Sequence, residues 1–200
     1  MNTQATTQVK TVDTNTKISF KGFWRLVKPT IGFLVVVTAL PCLYMTSAGL
    51  PGFDVVFAAV IGTLLASFSA GAFNQIADKD IDSLMDRTRR RPLPSGKIPK
   101  HIAIVFASAL GITSFYTLYF FTTPLAAWIA MFGIFFYVVI YTMYLKTRTT
   151  QNIVIGGAAG SVGPLIGWAA ASGTIEWPAW VLFGIMFFWT PPHFLSLIHI

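Results

Sequence analysis

The sequence predicts an all-α fold, a polytopic transmembrane helix bundle, on three observations. Hydrophobic residues make up 54% of its 200 positions and charged residues 10%, whereas soluble domains carry about 25% charge; the mean hydropathy is +0.67. Six stretches approach the ~20 mostly apolar residues that a bilayer-crossing helix needs. All 14 lysines and arginines fall in alternate gaps between those stretches.

The elements follow in order. Residues 1–28 read as a polar cytoplasmic tail, because "MNTQATTQVKTVDTNTKISF" lacks the apolar core of a signal peptide. Residues 29–200 read as one membrane domain. Its predicted spans are Thr30–Ala48, Val55–Ala77, Ile102–Phe121, Leu125–Leu145, Ile153–Ala171 and Pro178–Ile198. Pro41 predicts a kink in the first. The glycines of the fifth, Gly156, Gly157, Gly160, Gly163 and Gly167, form a small-residue face suited to close helix packing. A single cysteine, Cys42, excludes an internal disulfide framework and a cysteine-rich metal site; it reads as a small apolar filler.

Charge sets the orientation. Lys10, Lys17, Lys21, Arg25 and Lys28 precede the first span. Seven basic residues, from Lys79 to Lys100, separate the second and third spans, and Lys146 and Arg148 separate the fourth and fifth. The opposite loops hold only Asp54 and Glu176. The positive-inside rule puts the N-terminus in the cytoplasm. The basic run is thus a topology signal, and with no soluble binding domain beside it no nucleic-acid partner is expected.

One stretch resists a purely topological reading. "FNQIADKDIDSLMDRTRRRPLPSG", Phe73–Gly96, holds four of the seven acidic residues. Asn74, Asp78 and Asp82 are four apart, so on a helix they form one stripe, with Asp86 drifting off it and Asp80 on another face. Like charges at that spacing repel, and a carboxylate inside a membrane helix costs about 2.5–3.5 kcal/mol. A cation must offset this. Two carboxylates and an amide oxygen are hard ligands that suit Mg²⁺ shared with a phosphate. The blander alternative is a solvated helix end neutralised by its neighbouring arginines. Arg87 and Arg91, also four apart, suit bidentate contacts to a diphosphate; Arg89 and Arg90 are expected to face headgroups or water. Lys146 and Arg148 in "YLKTRTTQN" are further diphosphate contacts or plain topology determinants. His193 follows "WTPP" in the sixth span, at a depth where a histidine is costly unless used. It either serves a site or bonds a backbone carbonyl freed by Pro191 and Pro192. His101 reads as interfacial, and His199 as a weaker candidate.

The run N-x-x-x-D-K-D-I-D-x-x-M-D-R-T-x-x-R-P-L resembles the first aspartate-rich motif of the intramembrane aromatic prenyltransferases, the UbiA-type superfamily. Two later stretches, "YLKTRTTQNIVIGGAAGSVGPLIGWAAASGTI" and "FFWTPPHF", resemble the protoheme IX farnesyltransferases, or haem O synthases. The resemblance runs from about Trp24 to His193. It implies that Asn74, Asp78 and Asp82 hold Mg²⁺ on an isoprenyl diphosphate, with Arg87, Arg91, Lys146 and Arg148 on the diphosphate. It also implies that His193 contacts haem, through iron or a propionate.

The implied reaction moves a farnesyl group from farnesyl diphosphate to a vinyl group of haem B, giving haem O for a haem-copper terminal oxidase. The implied setting is the bacterial cell inner membrane, with the lipid bilayer as surroundings. An aromatic or quinone-precursor polyprenyltransferase, an inactive fragment of either, and a cation transporter are the alternatives. The family's fold has nine helices and a second acidic motif after the sixth. Six helices are expected here, and the domain reads as truncated at its C-terminus, where "FLSLIHI" departs from the family pattern.

Overall fold

The computed structural model describes residues 20–146, 148, 149 and 151–199. Lys10, Asp13 and Lys17 of the tail, and the side chain of His199, lie outside the described residues. Within them the chain is helical, with no strand. The helices are α1 (Phe20–Leu26), α2 (Pro29–Tyr44), α3 (Phe53–Ala77), α4 (Lys79–Leu84), α5 (Lys100–Phe121), α6 (Pro124–Phe135), α7 (Asn152–Gly160), α8 (Val162–Ser172) and α9 (Trp177–His199). α6 continues as a π-helix over Phe136–Leu145.

The chemistry of the sequence accounts for several boundaries. Pro29 and Pro124 open α2 and α6, where a missing N–H costs nothing. Thr123 caps α6 by accepting from the Ala126 N–H at 3.2 Å. Gly173 closes α8 in the left-handed region, φ 73°, and its N–H bonds the Ala169 carbonyl.

Each of the six predicted stretches is helical among the described residues, three of them more broken than the sequence suggested, but not all six qualify as membrane spans. Four elements are long and apolar enough to cross a membrane, with α7 and α8 taken together; α1 and α2 make a fifth if their 51° bend is counted as one span. The sixth predicted span is α9, 23 residues long. The described bend lies before the predicted first span, between α1 and α2 at Val27–Lys28, and not at Pro41, through which α2 stays helical. Residues 20–28, assigned by sequence to the tail, are folded, with Leu26 and Val27 buried in the body.

α3 is the central helix and packs most extensively against α5. Two buried serines staple them: Ser69 Oγ donates to the Ala107 carbonyl at 2.8 Å and Ser114 Oγ to the Gly62 carbonyl at 2.7 Å. Of the predicted glycine face of the fifth span, Gly163 and Gly167 pack on α2, Gly156 and Gly157 meet Tyr141 and Thr190, and Gly160 meets nothing within 4 Å. A Cβ at Gly167 would lie 2.2 Å from the Ala39 carbonyl oxygen, so α8 touches the α2 backbone as no larger residue allows. One apolar cluster (Leu43, Leu118, Ile166) joins α2, α3, α5, α6 and α8. A second (Leu26, Ile76, Leu93, Ile98) sits at the basic end of the bundle and anchors the loop after α4.

Candidate functional site

The acidic stripe forms at the end of α3. The backbone keeps helical hydrogen bonding across the α3–α4 junction, with Asp78 N–H to the Asn74 carbonyl at 2.9 Å and Asp82 N–H to the Asp78 carbonyl at 2.8 Å. Asn74, Asp78 and Asp82 therefore share a face, and all are buried, at 3%, 3% and 4% exposure. Asp80 is exposed, as the helical spacing predicts, and Asp86 is exposed because α4 ends before it, at Leu84.

Each buried oxygen-bearing side chain meets a cation from a different segment. Lys146 Nζ lies 2.6 Å from Asp78 Oδ2, and Arg91 Nη1 lies 2.7 Å from Asp82 Oδ2. Lys28 Nζ donates to Asn74 Oδ1. Asn74 Nδ2 donates in turn to Thr142 Oγ1 at 3.0 Å.

Local structure brings these groups in. α4 ends at Leu84 and Met85 is extended, so the chain after it turns back. Thr88 Oγ1 ties that return to the Asp82 carbonyl at 3.0 Å, while buried Leu93 and Ile98 root it in the core. Lys146 closes the π-helix, its N–H bonding the Tyr141 carbonyl, and Asn152 Nδ2 holds the Lys146 carbonyl at 3.2 Å. Lys28 sits between α1 and α2 in the left-handed region, φ 53° and ψ 63°. It is the one non-glycine residue with positive φ among those described. Gln75 Nε2 anchors this bend by donating to the Arg25 and Leu26 carbonyls, both at 2.9 Å.

Of the residues assigned from sequence, Asn74, Asp78, Asp82, Arg91 and Lys146 converge, and three do not join them. Arg87 is exposed. Its spacing of four from Arg91 does not put both on one face, because no helix runs between them. Arg148 is also exposed and lies over the Tyr144 ring, 4.5 Å from its centroid. His193 is exposed on α9 and stacks on Trp189 at 4.3 Å. Arg89 pairs with Asp86 at the surface.

Sequence reasoning missed Lys28 and Thr142. Lys28 had one legible signal, a cation at a helix N-terminus, where the macrodipole disfavours it. Thr142 had none beyond a hydroxyl at the inner end of a span.

Lys28 lies before the first span, and its ammonium pKa falls from 10.5 to about 8. Burial is the main cause, followed by the Arg91 charge; Asp78 and Asp82 oppose the shift. The same lysine lines a cavity of about 110 Å³. Gly71, Val35, Tyr137 and Gly133 form its walls, and Thr63 and Ile166 lie at its far part. From Gly71 to Thr63 it follows α3 for about 12 Å, at 1.5 Å per residue. Thr63 Oγ1 is buried there with no hydrogen-bond partner.

Among the described residues no three His, Cys, Asp or Glu side chains gather as a metal site. The stripe supplies two carboxylates and an amide oxygen, which fits a magnesium ion that takes one or two carboxylates from protein and the rest of its shell from phosphate and water. The nitrogens now on these oxygens mark where positive charge is favoured.

Comparison with known proteins identifies the family. The protoheme IX farnesyltransferase of Gloeobacter violaceus is 50% identical over 175 residues, covering 88% of this chain and 57% of that protein. That of Paenarthrobacter aurescens is 48% identical over 178 residues, covering 89% and 56%. The chain thus spans a little over half the length of these relatives. A solved structure, a UbiA homolog from Archaeoglobus fulgidus bound to DMAPP and Mg²⁺, superimposes with a TM-score of 0.69 at 14% identity. It covers 84% of this chain and 60% of that one, a likeness of fold. Residues 35–199 match the model of the UbiA prenyltransferase family, and because that match takes in most of the chain, every span from the first to the last, the chain belongs to this family.

Proposed function

We propose that the protein is a haem O synthase, transferring the farnesyl group of farnesyl diphosphate to a vinyl group of haem B. The buried stripe of Asn74, Asp78 and Asp82, met by three cations of which Lys28 also lines an apolar cavity, carries this reading. The names of its relatives support haem as the acceptor.

Asn74, Asp78 and Asp82 would hold magnesium, which would supply positive charge for a leaving diphosphate. Arg91 and Lys146 bind diphosphate oxygens and stabilise their charge as the carbon–oxygen bond breaks. Arg87 and Arg148, on the rim, attract the incoming anion. Lys28 joins the polar cluster to the cavity and faces the diphosphate end nearest the allylic carbon. The apolar walls keep water away until that carbon bonds the vinyl group. The Tyr137 ring in the wall stabilises positive charge on the allyl fragment. Water then adds its hydroxyl to the porphyrin side chain, and diphosphate and a proton leave.

His193 is assigned to haem, through iron or a propionate. The protein lies in the bacterial cell inner membrane with its N-terminus cytoplasmic, and its product serves a haem-copper terminal oxidase. The test is expression of the protein in a bacterium lacking haem O synthase, with mass analysis of extracted haem. Haem O is expected from the wild type and none from Asp78→Asn at equal membrane abundance. Unchanged haem O from Asp78→Asn overturns the site, and no haem O from the wild type overturns the function.

A further inference from the structure

Thr142 makes two hydrogen bonds that together leave its neighbour no choice of orientation. It lies in the π-helical segment and is 4% exposed. In an α-helix a threonine hydroxyl reaches the carbonyl three or four residues back. Here the wider π turn directs it five back, and Oγ1 donates to the Tyr137 carbonyl at 2.7 Å. A hydroxyl has one proton and two lone pairs. With its proton committed to Tyr137, Thr142 can only accept.

The partner is Asn74, whose Nδ2 donates to Thr142 Oγ1 at 3.0 Å. Rotating the amide by 180° would set Oδ1 against a lone pair of Thr142. It would also turn Nδ2 toward Lys28, whose ammonium has donors only. The oxygen is therefore held toward the cation side of the stripe. When a metal replaces Lys28 on that oxygen, the Lys28 constraint disappears and the Thr142 constraint remains.

We propose that Thr142 is a positioning residue that presents Asn74 Oδ1 to the divalent metal, through a hydroxyl whose proton the π-helix consumes. The inference rests on the magnesium reading above. It also gives the π-helix a purpose: these helices are rare and concentrate at functional sites, and this one aims both Thr142 and Lys146 at the stripe.

The test uses Mn²⁺ as a paramagnetic probe, titrated into the full chain in detergent with farnesyl thiodiphosphate present and read by electron paramagnetic resonance. Thr142→Val keeps the shape and removes the acceptor; about tenfold weaker Mn²⁺ binding is expected, the lower end of what an outer hydrogen-bond partner is worth. Thr142→Ser restores wild-type binding. Asn74→Asp presents two equivalent oxygens, so adding Thr142→Val to it weakens Mn²⁺ binding no further. Thermal unfolding without metal checks that each variant folds.

Wild-type affinity in Thr142→Val overturns the assignment. An equal loss in Thr142→Ser, or an undiminished loss in the Asn74→Asp background, also overturns it, because packing would then explain the effect. No Mn²⁺ binding by the wild type overturns the metal reading itself, and the assignment with it.

Discussion

Replacing Gly71 with alanine tests whether the bend at Lys28 is held by backbone contact with α3. A Cβ at Gly71 would lie 2.8 Å from the Val27 carbonyl oxygen. An ordinary carbon–oxygen contact needs about 3.3–3.6 Å, so the two backbones must separate by about 0.5 Å or more. The carbonyl cannot swing aside by itself. The Val27 N–H bonds the Phe23 carbonyl at 3.2 Å, and Gln75 holds the two preceding carbonyls. The whole bend must shift, at a cost of about 1–3 kcal/mol for overpacking a tight contact.

The shift moves Lys28 away from Asn74 and from the cavity it lines. A hydrogen bond to a charged group is worth about 1.5–3 kcal/mol, so farnesyl diphosphate affinity should fall about tenfold or more. Calorimetric binding and thermal unfolding in detergent measure the two effects. Gly160→Ala is the control: it lines the same cavity, and its Cβ meets nothing within 4 Å. If Gly71→Ala matches Gly160→Ala in both stability and affinity, the bend is not held as described.

Two further outcomes follow from the charges. Arg91→Ala removes the partner of buried Asp82 and should weaken diphosphate binding at least tenfold more than Arg87→Ala, whose side chain is exposed; equal losses in a binding titration would contradict the placement. The folded-state pKa of Lys28, about 8, lies below its unfolded value of 10.5. In that window the unfolded chain binds more protons, so stability rises with pH from about 8 to 10.5. Metal-free thermal unfolding should show a rise in the wild type that is reduced in Lys28→Met, and a slope identical in both would refute it.

The legible part of this protein is the part set by local geometry. Asn74, Asp78 and Asp82 share a face because four residues make slightly more than one helical turn, whatever surrounds them. The spans and the basic end of the bundle were equally local, because hydropathy and loop charge act on each segment separately. By itself the sequence determined the helix class, the stripe and the side on which its cations gather.

Tertiary structure decided which cations reach the stripe. Arg87 and Arg91 have the same side chain, and spacing made them a pair. The turn after Leu84, rooted by Thr88, Leu93 and Ile98, sends one inward and leaves the other outside. Lys146 and Arg148 divide in the same way. Lys28 reaches Asn74 across 46 positions and Thr142 across 68. No period in the sequence encodes such distances. They are set by glycine-permitted backbone contact, a left-handed bend and a π turn, each stable only once its neighbours are in place.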